Sequence, residues 1–297
     1  MCCPACGNIR TKNLFSKDDR DYVRCENCSL VYSLPRPAET SLSDLYDDIG
    51  EKYFTEPRML AFYFEPHRFE RELRFIGKHL LPGSSLMDVG CCVGAFVHAA
   101  EQQGYQAEGI DISNAAVQYG AARGLKLRVE NMLATEYPEP LDAICLWSTL
   151  EHVSDPLAFL RKAFKVINPG GWLFVSVPNF SGLSQKLLGK KFNLVAVEHL
   201  NYFTPKVLTA VVSSVGFEVR GLSSFGFNPV CLLRDFVRGD TQLALTEQMD
   251  RATLTLSLVS SPLRYVQRFT EKILDAAGHS ADVLLVAAQK PASLEAL

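Results

Sequence analysis

The sequence predicts an α/β fold built on seven strands, mostly parallel, with a small cysteine-bearing head and a helical insertion before the last strand. Three observations carry this prediction. Apolar runs alternate with helical patterns from Ser85 to Phe225, the signature of a parallel sheet with right-handed crossovers. The first run, Ser85 to Gly90, turns at Gly90 and Gly94 and passes directly into the helical pattern Ala95–Gln103. Asp111 stands at the tip of the second run, seventeen residues after Gly94.

The head comes first in the chain. Cys3-Pro4-Ala5-Cys6, eighteen residues, and Cys25-Glu26-Asn27-Cys28 form two C-x2-C knuckles at zinc-ribbon spacing. Four thiolates at Cys3, Cys6, Cys25 and Cys28 would give a closed tetrahedral site that favours zinc and leaves no position open for chemistry. Cys2 is adjacent and competes with Cys3 for the first knuckle. Between the knuckles, Arg10, Lys12, Lys17, Arg20 and Arg24 are offset by Asp18, Asp19 and Asp21. A structural or substrate-gating ribbon is therefore favoured over one that recognises nucleic acid or protein. The organisation reads as a ribbon over 1–35, a linker and cap over 36–65, a catalytic domain over 66–225 and 280–292, and a helical insertion over 226–279.

Pro66 to Leu81 has Phe69, Leu73, Ile76 and Leu80 on one helical face, with Arg68, Arg71 and Arg74 mostly on the other and read as solvated. Helix Asn114–Arg123 begins behind Ser113, a natural N-cap. Leu125 to Glu130 alternates as a third strand, Leu141 to Ser148 is the fourth, and Trp172 to Val177 is the fifth. Pro156–Ile167 is an amphipathic helix stopped at Asn168-Pro169-Gly170-Gly171. Residues 180–203 break the alternation and end in Val197-Glu198-His199-Leu200-Asn201-Tyr202-Phe203, before a helix over Thr204–Gly216. Phe217–Phe225 is the sixth strand and Asp282–Ala288 the last. Leu243 to Leu258 and Leu263 to Ile273 read as helical, forming either a lid or a dimer surface.

Composition narrows the function. With 297 residues, 47% hydrophobic, 21% charged and a net charge of −3, the chain has an ordinary globular make-up and lacks the basic excess of a nucleic-acid binder. No apolar run is long enough to span a membrane, and the N-terminus lacks a signal-like region, so cytoplasm is the expectation. Five of the nine cysteines fall in the first 28 residues, which reads as a metal site rather than a disulfide framework.

A glycine turn after one strand and an acid at the tip of the next is how a Rossmann-like unit grips a nucleoside, the acid accepting from ribose hydroxyls. A dinucleotide site wants G-x-G-x-x-G; here the spacing is Asp-x-Gly-x-x-x-Gly, and Asp88 would repel a pyrophosphate but suits a cationic ligand. Asp88-Val89-Gly90-Cys91-Cys92-Val93-Gly94 resembles the first motif of class I S-adenosylmethionine-dependent methyltransferases, which usually have a further glycine where Cys92 stands. Asp111 resembles the acid ending their second strand. The resemblance implies that the Gly90–Gly94 turn meets the methionine part, that Asp111 holds the ribose, and that Asn131 and Met132 flank the adenine. Phe96, Ile112, Leu146 and Trp147 complete the expected cofactor set. The head, through Leu30-Val31-Tyr32 and Pro35-Arg36-Pro37 to Tyr46 and Tyr53-Phe54, resembles zinc-ribbon-headed bacterial methyltransferases, several of which act on sugars. Thr149-Leu150-Glu151-His152 resembles the segment following the fourth strand, beside the reactive methyl.

Two histidines are candidates for taking a proton from the acceptor: His199, oriented by Glu198, and then His152. The plainer alternatives are a helix cap for His199 and a loop-ordering role for His152. His67, His79, His98 and His279 read as surface residues. The expected activity is methyl transfer to a small hydroxylated molecule, a sugar or nucleotide-sugar first. The rivals are a macromolecular (RNA or protein) methyltransferase, a zinc-ribbon protein-binding adaptor without activity, and a nicotinamide-linked oxidoreductase, which the glycine spacing disfavours.

Overall fold

A computed structural model of the chain describes residues 2–36, 56–137, 139–237 and 263–292. Tyr46 and Tyr53-Phe54 of the head's motif, and the segment Leu243 to Leu258 expected to be helical, lie outside the described residues. The strands are β1 (Thr11–Lys17), β2 (Arg20–Cys25), β3 (Val31–Leu34), β4 (Ser85–Val89), β5 (Gln106–Asp111), β6 (Leu127–Val129), β7 (Leu141–Trp147), β8 (Ile167–Pro178), β9 (Asn201–Tyr202), β10 (Glu218–Phe225) and β11 (Val283–Gln289). The helices used below are α1 (Pro57–Tyr63), α2 (Glu70–Ile76), α3 (Ala95–Gln102), α4 (Asn114–Ala121), α5 (Pro156–Val166), α6 (Leu183–Leu188), α7 (Pro205–Ser214), α8 (Pro229–Val237) and α9 (Leu263–Ala276).

The large sheet has seven strands in the order β10-β11-β8-β7-β4-β5-β6. β4, β5, β6, β7 and β8 run parallel, and β11 lies antiparallel between β8 and β10. This is the expected mostly parallel Rossmann-like sheet with an inserted last strand. Its central strands are buried on both faces, which is why they read as near-continuous apolar runs. Local signals start the helices: Ser113 caps α4 by accepting from the Ala116 N–H, and Asp155 caps α5 by accepting from Ala158, with Pro156 in the first turn. Thr204 does the same for α7, with Pro205 behind it.

Several expectations change in detail. The helix expected over 66–81 is confined to Glu70–Ile76, with turns on either side. Its arginines are not simply solvated: Arg71 pairs with Glu271 of α9 at 2.5 Å, Arg68 lies against the rings of Phe62 and Phe69, and Arg74 pairs with Glu70, as does Arg268 of α9. Asn168-Pro169-Gly170-Gly171 does not end before the fifth strand. It forms an excursion inside β8, where the register jumps from Leu141↔Ile167 to Ala143↔Trp172.

The ribbon is joined to the large domain by main-chain pairing. A second sheet has the order β1-β2-β3-β9, in which β9 comes from the segment following His199. Val31 pairs with Tyr202 and Tyr32 with Asn201. Tyr22, Val31, Leu188, Phe192, Val195 and Tyr202 form one buried apolar cluster across the joint.

The glycine turn after β4 is backed by α4. A Cβ placed on Gly120 would come within 2.5 Å of the Val93 carbonyl oxygen and 2.4 Å of Leu127 Cδ1. Gly120→Ala is predicted to displace the turn and cost about 2–3 kcal/mol of stability, measured by urea unfolding. A change of only a few tenths would show that the turn yields freely.

Candidate active site

The sheet's strand order reverses between β4 and β7: the chain runs outward through β5 and β6, then returns to β7 and continues outward through β8 on the other side. The carboxyl ends of these strands, where such folds bind ligands, carry most of the expected site residues. Asp88 is second from the end of β4, Gly90 and Gly94 form the turn beyond it, Asp111 ends β5, and Leu146 and Trp147 end β7.

The turn is left-handed at Gly90 (φ 81°), Cys92 (φ 52°) and Gly94 (φ 76°). At Gly90 a Cβ would meet Thr149 Oγ1 at 2.9 Å, so the residue is needed for close approach as well as for its φ. Cys92 adopts a conformation that costs a side-chain-bearing residue roughly 1–2 kcal/mol, which explains why a glycine is the usual occupant in the resembling family. The strained residue is held in place: its N–H donates to Asp111 Oδ2 at 2.8 Å, while Ser113 N–H donates to Asp111 Oδ1 at 2.9 Å. Asp111 is thus oriented through both carboxylate oxygens.

Asp88 is 3% exposed and its Oδ1 has no hydrogen-bond partner. Burial, and secondarily the negative charge of Asp111, hold its carboxyl well above the usual range. Trp147 Nε1 is likewise buried and unpartnered, and the indole meets Phe96 edge-on at 5.3 Å between ring centroids. Buried polar atoms ordinarily have partners. An orphan acceptor and an orphan donor among the expected cofactor contacts fit a ligand that carries complementary groups. Phe96 and Leu146 are buried, and Ile112 is partly exposed beside Asp111. Asn131 is exposed, with its Oδ1 accepting from Leu133 N–H. Met132 is packed into the core.

The second group of residues assembles from two distant segments. The turn following β7 carries Glu151 and His152; the segment ahead of β9 carries Glu198 and His199. The His152 and His199 rings meet edge-on at 4.7 Å. Single ligand atoms from Glu151, His152 and His199 lie within 4.8 Å of one another. His152 Nδ1 is 3.0 Å from the Glu198 carbonyl oxygen, and His199 Nδ1 is 2.8 Å from the Leu194 carbonyl oxygen. Carbonyls only accept, so both imidazoles carry their proton on Nδ1 and direct the lone pair of Nε2 elsewhere.

The carboxylate among these rings belongs to Glu151, whose Oε1 lies 4.0 Å from His152 Nε2. Glu198, expected to orient His199, supplies its main-chain carbonyl to His152, and its charge acts on His199 against the effect of burial. Glu151 is 1% exposed, with no hydrogen-bond partner on either carboxylate oxygen. Burial raises it to about 8. Burial, and then repulsion from His199, lower His152 to about 3, and burial lowers His199. At neutral pH the cluster is a protonated acid beside two unprotonated imidazoles, a set able to accept a proton and relay it. One carboxylate and two imidazoles are also a donor set that a divalent cation accepts.

The clusters share one wall. Thr149 Oγ1 donates to the Val89 carbonyl at 2.8 Å, locking the turn that carries Glu151 and His152 against the glycine turn. Of the other histidines, His67 and His98 are exposed. His79 is half-buried, its ring tilted against Trp172 at 4.4 Å between centroids. His279 pairs with Asp275 at 2.7 Å.

The four expected metal ligands converge in the ribbon, their sulfurs within 4.8 Å of one another. Cys3 is buried in this set and Cys2 is exposed, which settles the first knuckle. Cys3–Cys28 and Cys6–Cys25 sulfurs are 3.5 Å apart, close to the roughly 3.8 Å of a tetrahedron with metal–sulfur bonds of about 2.3 Å. Burial raises Cys3 and Cys28. At Cys25 burial is outweighed by N–H groups of Cys28 and Asn27, which hold it at about 6. A dication supplies the stabilisation that burial withholds from such thiolates.

Comparisons with known proteins converge on one family. A family model described as "Methyltransferase domain" matches residues 61–222. A ubiquinone biosynthesis O-methyltransferase of Chromobacterium violaceum is 29% identical over 175 residues, covering 53% of this chain and 75% of its own. The protein of the same name from Xylella fastidiosa is 26% identical over 218 residues, covering 63% and 88%. Among solved structures, the cyclase SpnF superposes with a TM-score of 0.56 at 16% identity, over 86% of this chain and 97% of its own. A SAM-dependent methyltransferase from Archaeoglobus fulgidus gives 0.52 at 14% identity, over 78% and 98%. At these identities the structures show the fold alone.

The buried acid gives a pH-dependent prediction. The folded chain holds the Glu151 proton up to about pH 8, while the unfolded chain releases it near the ordinary 4.5. Each pH unit across that window therefore costs folding up to about 1.4 kcal/mol. Glu151→Gln removes the penalty, so its melting temperature should exceed that of the natural protein by a margin that widens from pH 5 to pH 8. A margin independent of pH would refute the assignment.

Proposed function

Starting from the premise that this chain belongs to the methyltransferase-domain family, and so to the class I S-adenosylmethionine-dependent enzymes, we propose that it methylates a hydroxyl group of a small molecule. The observation that carries this reading is the Glu151–His152–His199 cluster, placed against the glycine turn through Thr149. The relatives named as O-methyltransferases support oxygen as the acceptor atom. The resemblance of the cysteine-bearing head to that of sugar-modifying enzymes supports a sugar or nucleotide-sugar as the acceptor class.

S-adenosylmethionine supplies a methyl group already activated on a sulfonium. The chain's own work is to bind, orient and exclude water. Asp111, fixed by two main-chain N–H groups, would hold the ribose. Asp88 with the Gly90–Gly94 turn, Cys92 and Phe96 would hold the methionine part, while Ile112, Asn131 and Met132 would line the adenine. Leu146 and Trp147 would close the site from β7. His199 is proposed as the base that takes the acceptor's proton on Nε2, with His152 and Glu151 as the groups that share it. Glu198 holds His152 in its tautomer through a carbonyl. The ribbon is proposed to bind one zinc ion through Cys3, Cys6, Cys25 and Cys28 in a structural role. The exposed Val266, Phe269 and Ile273 of α9 support the insertion as a lid or self-association surface.

Calorimetry with S-adenosylhomocysteine tests the assignment of roles. The natural protein should bind it, Asp111→Ala should weaken binding at least about tenfold, or 1.4 kcal/mol, and His199→Ala should leave it within about twofold. With a sugar acceptor, His199→Ala should lower kcat at least about a hundredfold. No binding by the natural protein would defeat the reading, and unchanged kcat would defeat the base. Metal analysis should find one zinc per chain, and its removal by a chelator should lower the melting temperature, whereas a metal-free protein with unchanged melting would remove zinc from the account.

A further inference from the structure

The catalytic histidines proposed above come from segments nearly fifty residues apart, and a residue outside both joins them. Arg36 follows β3 directly. Its Nη2 donates to the Ser154 carbonyl at 2.7 Å, the Val153 carbonyl at 3.1 Å and Asn201 Oδ1 at 3.1 Å, and its Nη1 reaches the Leu200 carbonyl at 3.4 Å. One guanidinium thus grips the turn after Glu151-His152 and the strand after His199. The grip is reinforced on both sides. Asn201 Nδ2 donates to the Leu150 and Val153 carbonyls at 2.9 and 2.8 Å, and the Glu151 carbonyl accepts from Leu200 N–H at 2.6 Å and Asn201 N–H at 3.0 Å. On the ribbon side, Ser33 N–H donates to the Leu200 carbonyl at 3.1 Å.

We propose that Arg36 is the positioning residue of the active site: the ribbon carries it as a brace that holds the two histidine-bearing segments in register. Its terminal nitrogens meet main-chain and amide oxygens while its Nε is buried without a hydrogen-bond partner, and burial lowers its affinity for its proton against the opposing charge of Asp155. Such a placement is costly and is repaid only by geometry. A planar fork can reach acceptors on two segments at once, whereas an ammonium on a flexible stem acts as a point charge. The ribbon's contribution is then separable from its own stability, since the residue it leads into, two positions beyond β3, sets the distance between His152 and His199.

The proposal rests on reading the histidine pair as the acceptor-side machinery, but its test does not. The Nδ1–H of His152 is bonded across the two segments, to the Glu198 carbonyl, while that of His199 is bonded within its own, to the Leu194 carbonyl. Histidine-selective nitrogen-15 NMR on the full chain should show both protons as slowly exchanging. In Arg36→Lys and in Arg36→Ala, the His152 signal should be lost or exchange at least about tenfold faster, with the His199 signal retained. Affinity for S-adenosylhomocysteine should stay within twofold. Millimolar guanidinium ion should restore the His152 signal in Arg36→Ala but not in Arg36→Lys, whose side chain still fills the site. An unchanged His152 signal in both variants, or simultaneous loss of both signals, would overturn the proposal. If Arg36→Ala does not fold, Arg36→Lys alone decides.

Discussion

The reversal of strand order between β4 and β7 is the constraint on which the rest of this molecule depends. Parallel neighbours must leave the sheet at the same edge, and at a reversal their crossover helices lie on opposite faces, so nothing covers the gap between the two ends. Here that gap receives a left-handed turn on one side and a polar turn on the other. The two are tied by one hydroxyl, that of Thr149, bonded to the Val89 carbonyl. Thr149 also sits where a Cβ on Gly90 would stand. The glycine is therefore a packing requirement of the acceptor side as much as a conformational requirement of the cofactor side.

The ribbon depends on this arrangement and feeds back on it. A three-stranded antiparallel sheet of this size has an edge that must be covered or paired. β3 pairs with β9, and β9 is the strand into which the His199 segment runs. Closing the ribbon's edge and placing His199 are the same event. The metal site proposed for the four cysteines lies beside that joint, since Cys25 ends β2 and Cys28 stands three residues before Val31, which pairs with Tyr202, so order at the knuckles reaches β9 through main-chain hydrogen bonds of β3. This gives a physical reason for a closed metal site, which has no chemistry of its own, to be attached to a transferase.

What the sequence made legible was local. The alternation of runs, the Gly90–Gly94 turn, Asp111 and the two cysteine knuckles each declare themselves within about twenty residues, because their chemistry is set by spacing along one strand or turn. The helix cap at Ser113 was equally local. The remainder required partners from far along the chain. β9 is two residues long and pairs with a strand about 170 residues earlier, so no periodicity marks it. Glu198 was the obvious carboxylate for His199 because it is adjacent in sequence. Yet Glu151, from a turn nearly fifty residues earlier, also joins the group. Arg36 carried no signal beyond its place between two prolines, and its role exists only because four acceptors meet there. The contact of half-buried His79 with Trp172 likewise joins residues about 90 positions apart.

The dryness of the Glu151 cluster has a consequence for how a proton would move. A base in water at the pH of a cell would be an imidazole near its ordinary value of about 6.5, protonated part of the time. Here burial removes water, pushes the acid up and the imidazoles down, and leaves the histidines unprotonated. An imidazole depressed in this way is a weak base on its own. Taking a proton adds one positive charge to the cluster. Passing the Glu151 proton to the second imidazole would set a carboxylate beside that charge, so the three groups are coupled in accepting a single proton. Bringing in an acceptor molecule displaces the last solvent and strengthens the coupling. Separating the turn after β7 from the strand β9 by an ångström would leave each group present and none of them able to do this, which is why the hydrogen bonds between the two segments matter more to the chemistry than to the stability of the fold.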